Sequence, residues 1–182
     1  MTDTLYGQVA DKIIAKANQI KLLVCDIDGV FSDGRIYLGN DGEELKAFNT
    51  KDGFGIKALA QFGIEVAVIT GRNSNIVTNR MQALNVKHII QGQEDKLPAL
   101  EFIRQNLELS PDQIAYIGDD VPDLACIEYV GLGVAVNDAH PLVVQAADYV
   151  TLLNGGFGAV RELCDLILQS QGKLALAKGS SV

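Results

Sequence analysis

The stretch that most constrains this chain is residues 22–34, LLVCDIDGVFSDG. Four apolar residues, Leu22 to Cys25, run unbroken into Asp26, and a second carboxylate follows at Asp28 with Gly29 behind it. An apolar run with no polar alternation predicts a strand buried on both faces, the pattern of a parallel sheet. Asp26 and Asp28 are two apart on extended backbone, so they project to one side at the strand's carboxyl end. Open α/β sheets bind their ligands there. Two ionised carboxylates so placed repel by roughly 4 kcal/mol at 4 Å if the effective dielectric is about 20. A cation between them, or a proton on one, removes the conflict, and either condition serves chemistry. Taken alone, D-x-D-G also fits a helix cap or a turn.

The rest of the chain alternates apolar runs with helix-spaced segments. Val9, Ile13, Ile14 and Ala17 predict a helix over residues 6–18, packed on the sheet edge. Residues 35–49, RIYLGNDGEELKAFN, read as two extended stretches around Asn40-Asp41-Gly42, a hairpin signal. Further helices are expected over residues 53–62, 73–84 and 94–107, the last with Lys96 in its first turn, and from the Gly-rich turn 154–158 to about residue 170. Strands are expected over residues 64–69, 87–90, 114–117, 133–136 and 149–152. This alternation predicts a three-layer, Rossmann-like α/β fold, a mainly parallel sheet with helices on both faces. A β-hairpin flap at about 34–49 takes the place of a cap domain. The whole chain, 1–182, reads as a single domain with a C-terminal tail at about 172–182.

Three polar clusters, Asp26/Asp28, Thr70 and Asp119/Asp120, each follow an apolar strand directly. In a parallel sheet all three fall on one edge. For a phosphate monoester, Asp26 would be the nucleophile and form an aspartyl-phosphate. Asp28 would protonate the leaving alcohol and then deprotonate the attacking water. Asp119 would help Asp26 hold Mg²⁺, with Asp28 contributing a backbone carbonyl. Thr70 and the Gly71 amide could donate to phosphoryl oxygens, and Lys96 would offset the negative charge. Asp123 reads as orienting groups within the site. Singly, Thr70 could be a helix cap, Lys96 a solvated lysine and Asp119/Asp120 a turn.

Composition narrows the partners. With 182 residues, 48% hydrophobic and 21% charged, the chain can bury one sizeable core. A net charge of -8 disfavours nucleic acid and anionic membrane. A phosphorylated substrate would therefore be drawn in locally, by a metal or a few Lys and Arg. No apolar run approaches the ~18 residues of a membrane span. The start, MTDTLYGQVADK, lacks a signal-peptide pattern, so a cytoplasmic protein is expected. Cys25, Cys126 and Cys164 stand far apart in apolar contexts, as buried reduced thiols do. His88 and His140 are the only histidines, which argues against a His-built zinc site.

DIDG at Asp26, ITGR at Thr70, Lys96 and GDD at Asp119 resemble the four motifs of the haloacid-dehalogenase superfamily of aspartate-nucleophile phosphatases. Within it, DIDGVFSDGRIY, FNTKDGFGIK, QGQEDK, AVNDAHP and GGFGAVRE with QGKLALAKG resemble the branch that hydrolyses 3-deoxy-D-manno-octulosonate 8-phosphate in lipopolysaccharide biosynthesis. That resemblance implies Asp26, Asp28 and Asp119 at the metal and Asp28 as acid/base. It implies that Asn49, Thr50, Lys51, Asp52 and Gly53 line the sugar-phosphate pocket, and that Lys57, Arg72, Arg80 and Lys96 are basic substrate contacts. Lys51 and Lys57 stand where the family more often has arginine, and Phe157 where a basic residue is expected. A lysine offers a point charge rather than a bidentate fork.

No cap domain is inserted before Thr70 or between Thr70 and Asp119, and a hairpin is a small lid for a site that must exclude water. The resemblance implies a homotetramer whose flaps and tails complete adjacent sites. Other readings remain open from residues alone. One is a phosphatase for another acidic sugar such as N-acylneuraminate 9-phosphate. Others are a phospho-accepting signalling module and a catalytically silent assembly subunit.

Overall fold

The computed structural model describes residues 1–177. The chain opens with a short antiparallel hairpin, β1 (Thr2–Thr4) and β2 (Gly7–Val9), and only then enters helix α1 (Asp11–Asn18). The helix predicted from residue 6 therefore starts at Asp11. Val9 is buried at the end of a strand whose spacing to Ile13 mimics a helical face. The Thr4 hydroxyl closes the turn onto the Gly7 carbonyl at 2.7 Å. The Tyr6 hydroxyl ties the hairpin to Asp165 at 2.9 Å.

Strand β3 (Leu22–Cys25) follows as predicted, then the hairpin β4 (Tyr37–Leu38) and β5 (Glu44–Leu45). Next come α2 (Thr50–Gln61), β6 (Glu65–Thr70), α3 (Asn75–Ala83), β7 (His88–Gln91) and α4 (Leu97–Asn106). The chain continues through β8 (Ile114–Gly118), α5 (Leu124–Tyr129), β9 (Leu132–Ala135), α6 (Pro141–Ala146), β10 (Tyr149–Val150) and α7 (Ala159–Ser170). Helix α2 begins three residues before the predicted position. Asn49 caps it by accepting the Lys51 amide at 2.9 Å, and its glycines are there for close packing. A Cβ on Gly53 would lie 2.6 Å from the Arg80 guanidinium.

Six strands form one parallel sheet in the order β10-β9-β8-β3-β6-β7, so the strand ending at Asp26 lies in its interior. Leu22, Leu23 and Val24 are wholly buried, each contributing roughly 1.5–3 kcal/mol. Alternate residues serve opposite layers. Leu23, Cys25, Val68 and Ile117 pack in the core with α1, α2, α3 and α7. Leu22, Val24, Ile69 and Tyr116 pack in a second core with α4, α5 and α6. This is the expected three-layer α/β arrangement. Helix α1 lies against α7 and over β9, the strand next to the edge strand β10.

Register places the site. Cys25 is level with Val68 on one side and Ile117 on the other, so Asp26, Thr70 and Asp119 emerge at one edge. At the other edge the C-terminal segment folds back on its own chain. The Lys173 amide donates to the Leu168 carbonyl, Gln61 to the Leu176 carbonyl, and the Lys173 ammonium lies 5.7 Å from the Phe62 ring centroid. The sequence left this tail little to pack against; residues 173–177 do have a seat, because the turn at Gly172 returns them to the end of α2. Lys178 lies outside the described residues. Among the described residues, no helix is long and apolar enough to cross a membrane. Cys25, Cys126 and Cys164 are free and buried, and burial pushes all three thiols up.

Candidate active site

A cleft of about 160 Å³ opens at the carboxyl edge, lined by Asp26, Asp28, Thr70, Lys96, Asp119 and Asp123 among others. Lys96, immediately before α4, is its pivot. Its Nζ lies 2.8 Å from Asp26 Oδ1 and 2.7 Å from Asp123 Oδ1, and the residue is only 4% exposed. The loop after β3 is pulled tight by three amides, of Val30, Phe31 and Ser32, all donating to the Ile27 carbonyl. Gly29 is required in that loop on two grounds. Its φ is +97°, and a Cβ there would lie 2.1 Å from an Asp119 carboxylate oxygen.

Asp123 holds the cluster together. One carboxylate oxygen accepts Lys96 and the buried Tyr116 hydroxyl, at 2.7 Å each; the other accepts the amides of Asp119 at 3.0 Å and Asp120 at 3.3 Å. This is the orienting place expected of it. Tyr116 is an addition to the predicted set. It reads from sequence as one more apolar strand residue, and only its hydroxyl hints at a buried partner.

Carboxylate oxygens of Asp26, Asp119 and Asp123 lie within 4.8 Å of one another, with one ammonium among them. Burial first, then repulsion from Asp123, raises the Asp26 carboxyl above its ordinary range, against the pull of Lys96. Burial, then Asp26 and Asp123, raises Asp119 as well. Burial works against the Lys96 ammonium, but Asp26 and Asp123 outweigh it and hold its pKa above the usual value. The cluster is short of positive charge and offers only hard oxygen donors, which fits a hard divalent cation. Of the predicted metal set, Asp26 and Asp119 meet here. Asp28, expected to offer its backbone carbonyl, has its side chain at the rim.

At the rim Asp28 Oδ1 is ion-paired with Lys46, and Asp28 Oδ2 lies 3.9 Å from Arg72 Nε. Thr70 is buried at the end of β6, and Arg72 is two residues on. Lys46 and Glu44 come from the hairpin and were absent from the predicted set. Their signal is two opposite charges two apart, Glu44 on β5 and Lys46 just past its end, which equally describes a solvated face. The remaining predicted contacts disperse. Asn49 and Thr50 line a separate concavity with Asp33, Tyr37 and Phe157. Lys51 is exposed on the first turn of α2, and Lys57 is half-buried further along it. Asp52 is wholly buried, accepting the Arg161 amide at 2.8 Å and so capping α7. Arg80 rests against Gly53. Neither cleft is lined by these last five residues, Gly53 included.

A carboxylate set converging on a lysine at the carboxyl edge of a parallel sheet, with a second acid two residues past the first, defines a cation-assisted phosphoryl-transfer class of site. The chain belongs to the haloacid dehalogenase-like hydrolases: that family's model matches residues 87–163, and close relatives span nearly the whole chain. It is 54% identical to the 3-deoxy-D-manno-octulosonate 8-phosphate phosphatase of Escherichia coli (strain K12), over 98% of this chain and 95% of that protein. The crystal structure of the Yersinia pestis enzyme of that name superposes with a TM-score of 0.97 at 54% identity, covering 100% of this chain and 98% of that one. The Moraxella catarrhalis enzyme, solved with a magnesium ion, a phosphate ion and a KDO molecule, superposes with a TM-score of 0.91 at 44% identity. It covers 92% of this chain and 97% of that one.

Proposed function

We propose that this chain is a magnesium-dependent phosphatase that hydrolyses 3-deoxy-D-manno-octulosonate 8-phosphate to 3-deoxy-D-manno-octulosonate and inorganic phosphate, in lipopolysaccharide biosynthesis. The observation that carries this reading is the convergence of Asp26, Asp119 and Asp123 on Lys96, with Asp28 at the rim. The near-full-length likeness to enzymes of that name supports the substrate.

Asp26 attacks the phosphorus in line, forming the aspartyl-phosphate as the ester P–O bond breaks. Asp28 gives its proton to the departing sugar oxygen, then takes one from the water that releases phosphate from Asp26. The Thr70 hydroxyl and the Gly71 amide donate to phosphoryl oxygens, and Lys96 balances their charge. Asp26, Asp119 and the Asp28 carbonyl would hold Mg²⁺, which when bound neutralises charge on the transferring group.

The cleft suits a phosphate group; an eight-carbon acid has to extend beyond it beneath the flap. Arg72 stands at that exit, and Asn49 and Thr50 line the concavity next along the flap. The other assigned contacts, Lys51, Asp52, Gly53, Lys57 and Arg80, belong to the same α2–α3 wall. A cytoplasmic homotetramer completes the reading. The flap leaves Leu38 70% and Leu45 56% exposed, and Phe157 beside it is 60% exposed, apolar surface suited to a neighbouring copy. Residues 173–177 pack at the sheet edge away from their own cleft, and the tail is assigned to the cleft of a neighbouring subunit.

Phosphate release with Mg²⁺ tests the proposal on two acidic sugar phosphates in parallel. The octulosonate 8-phosphate should be turned over with a kcat/KM at least about tenfold above that of N-acylneuraminate 9-phosphate, a difference of about 1.4 kcal/mol in transition-state binding. The reverse order would reassign the substrate, and no release from either would end the phosphatase reading. Light scattering should give a mass of four chains.

A further inference from the structure

Four charged side chains form a closed ring between the flap and the catalytic edge. Lys46 Nζ pairs with Asp28 Oδ1 and lies 3.3 Å from Glu44 Oε1. Arg72 faces the same two acids from the other side, with Nη2 3.2 Å from Glu44 Oε2 and Nε 3.9 Å from Asp28 Oδ2. Two members, Glu44 and Lys46, ride on the hairpin; the other two follow strands β3 and β6. The Lys46 side chain is 1% exposed, the Asp28 side chain 23%. An ammonium withdrawn from water is retained only where its partners are well placed, and removing one partner is costly.

The Tyr37 hydroxyl also holds the hairpin, but only to Asp33 four residues before it, at 2.9 Å. The hairpin's ladder has two residue pairs, Tyr37 with Leu45 and Leu38 with Glu44, and it turns Ile36, Leu38 and Leu45 to solvent. So short a hairpin is marginal by itself. The ring is therefore its seat, and that seat is fastened to the acid/base of the proposed reaction. Glu44 Oε1 is enclosed and ion-paired with Lys46 without a directional hydrogen bond, so it guides the ammonium by charge while Asp28 takes the closer pairing.

We propose that Lys46 is a positioning residue: seated with the flap, it fixes the Asp28 carboxyl in the orientation from which it protonates the leaving oxygen. Flap closure and acid catalysis are then one event, and whatever lifts the flap or removes Lys46 leaves a misoriented acid. This rests on the phosphatase reading and adds to it a residue that the motifs do not include.

The test uses a series of small phosphate esters that do not reach the flap and differ in how much they need an acid. Glycerol 3-phosphate has an alkoxide leaving group, phenyl phosphate an intermediate one, and 4-nitrophenyl phosphate one that departs unprotonated. With Lys46→Met, kcat/KM for glycerol 3-phosphate should fall about 30-fold and that for 4-nitrophenyl phosphate by less than about 3-fold, since a misplaced general acid costs only where a proton is needed. Lys46→Arg should recover part of the alkyl ester's loss. Glu44→Gln, which keeps the ammonium, should show the same ordering at smaller amplitude, and it carries the test if Lys46→Met does not fold. Equal losses across the series, or none, in a protein with unchanged near-ultraviolet circular dichroism would overturn the proposal alone. A wild-type protein that releases phosphate from no ester, the sugar phosphates included, would overturn the phosphatase reading, and this role with it.

Discussion

Lys96 and Lys46 are both buried lysines at one cleft, and they are held in different ways. Lys96 enters from the start of α4, and its partner Asp123 is pinned by a tyrosine hydroxyl and two backbone amides. Lys46 enters from a hairpin of two residue pairs, and its partners are side chains that could part together. At the sheet edge Lys96 and Asp123 fix each other, and Asp123 is held in turn by the buried Tyr116 and by backbone amides. The flap is tied across to that edge by the charged ring. Chemistry that needs acids at fixed separation sits on the first, and a lid that must open sits on the second.

The largest effects belong to the sheet edge. Asp26→Asn keeps the shape of the side chain but cannot form an acyl-phosphate, so turnover should fall roughly 10³-fold or more with folding intact. A variant retaining a few per cent of activity, once mass spectrometry excludes deamidation, would break the assignment. Chelation should abolish turnover and added Mg²⁺ restore it. It should also lower the melting temperature, because the three acids then face one ammonium without compensation. An unchanged melting curve in exhaustively chelated protein would show that the edge does not depend on a cation.

Asp52 joins the two regions, since α2 follows directly from the flap and Asp52 pins it to α7. Burial raises its carboxyl from the ordinary 3.8 to about 7, although Arg161, Arg80 and Lys51 pull it down. The sign follows from the raised value. The bound proton stabilises the fold fully below the ordinary carboxylate range, and that contribution is lost as pH rises through about 7. Asp52→Asn, neutral throughout, should therefore gain on the wild type as pH rises. Its melting temperature should be higher by roughly 2–4 °C at pH 8 for each 1 kcal/mol recovered, and the advantage should shrink at pH 5. An advantage of equal size at both would mean that the ionisation plays no part.

The two regions also differ in how they could be read beforehand. Strand β3 announces itself because a strand buried on both faces shows no alternation. The positions of Asp26, Thr70 and Asp119 then follow from parallel register alone. The first hairpin was hidden because Val9, Ile13 and Ala17 keep helical spacing across a strand–helix boundary, and no local rule separates the two. Asp52, assigned to the sugar pocket by resemblance, is buried as a helix cap, a role set by where α7 docks and not by residues near it in sequence. Glu44 and Lys46 were invisible for a related reason. Opposite charges two apart at the end of a short strand look solvated until the hairpin is placed over a carboxylate in the loop after another strand.

The tail offers the smallest effect and the finest discrimination between edge and rim. Residues 173–177 pack on the end of α2 through Leu174 and Ala177, with Gln61 bonded to the Leu176 carbonyl. They lie at the amino edge of the sheet, while the cleft opens at the carboxyl edge. Truncation after Gln171 removes that packing, and loss of a few partly buried apolar groups should cost about 1 kcal/mol, seen as a lower melting temperature. Turnover of 4-nitrophenyl phosphate should stay within about twofold, since the described tail residues, 172–177, pack at the amino edge through Gln61 and the end of α2, away from the chain's own acids. If tails close neighbouring clefts in a tetramer, KM for the sugar phosphate should rise several-fold in the truncated protein at unchanged oligomeric mass, and mixing in subunits inactivated by Asp26→Asn but bearing intact tails should lower it again. Unchanged kinetics on both substrates, with only the melting temperature shifted, would confine the tail to packing its own chain and leave the flap as the cleft's one lid.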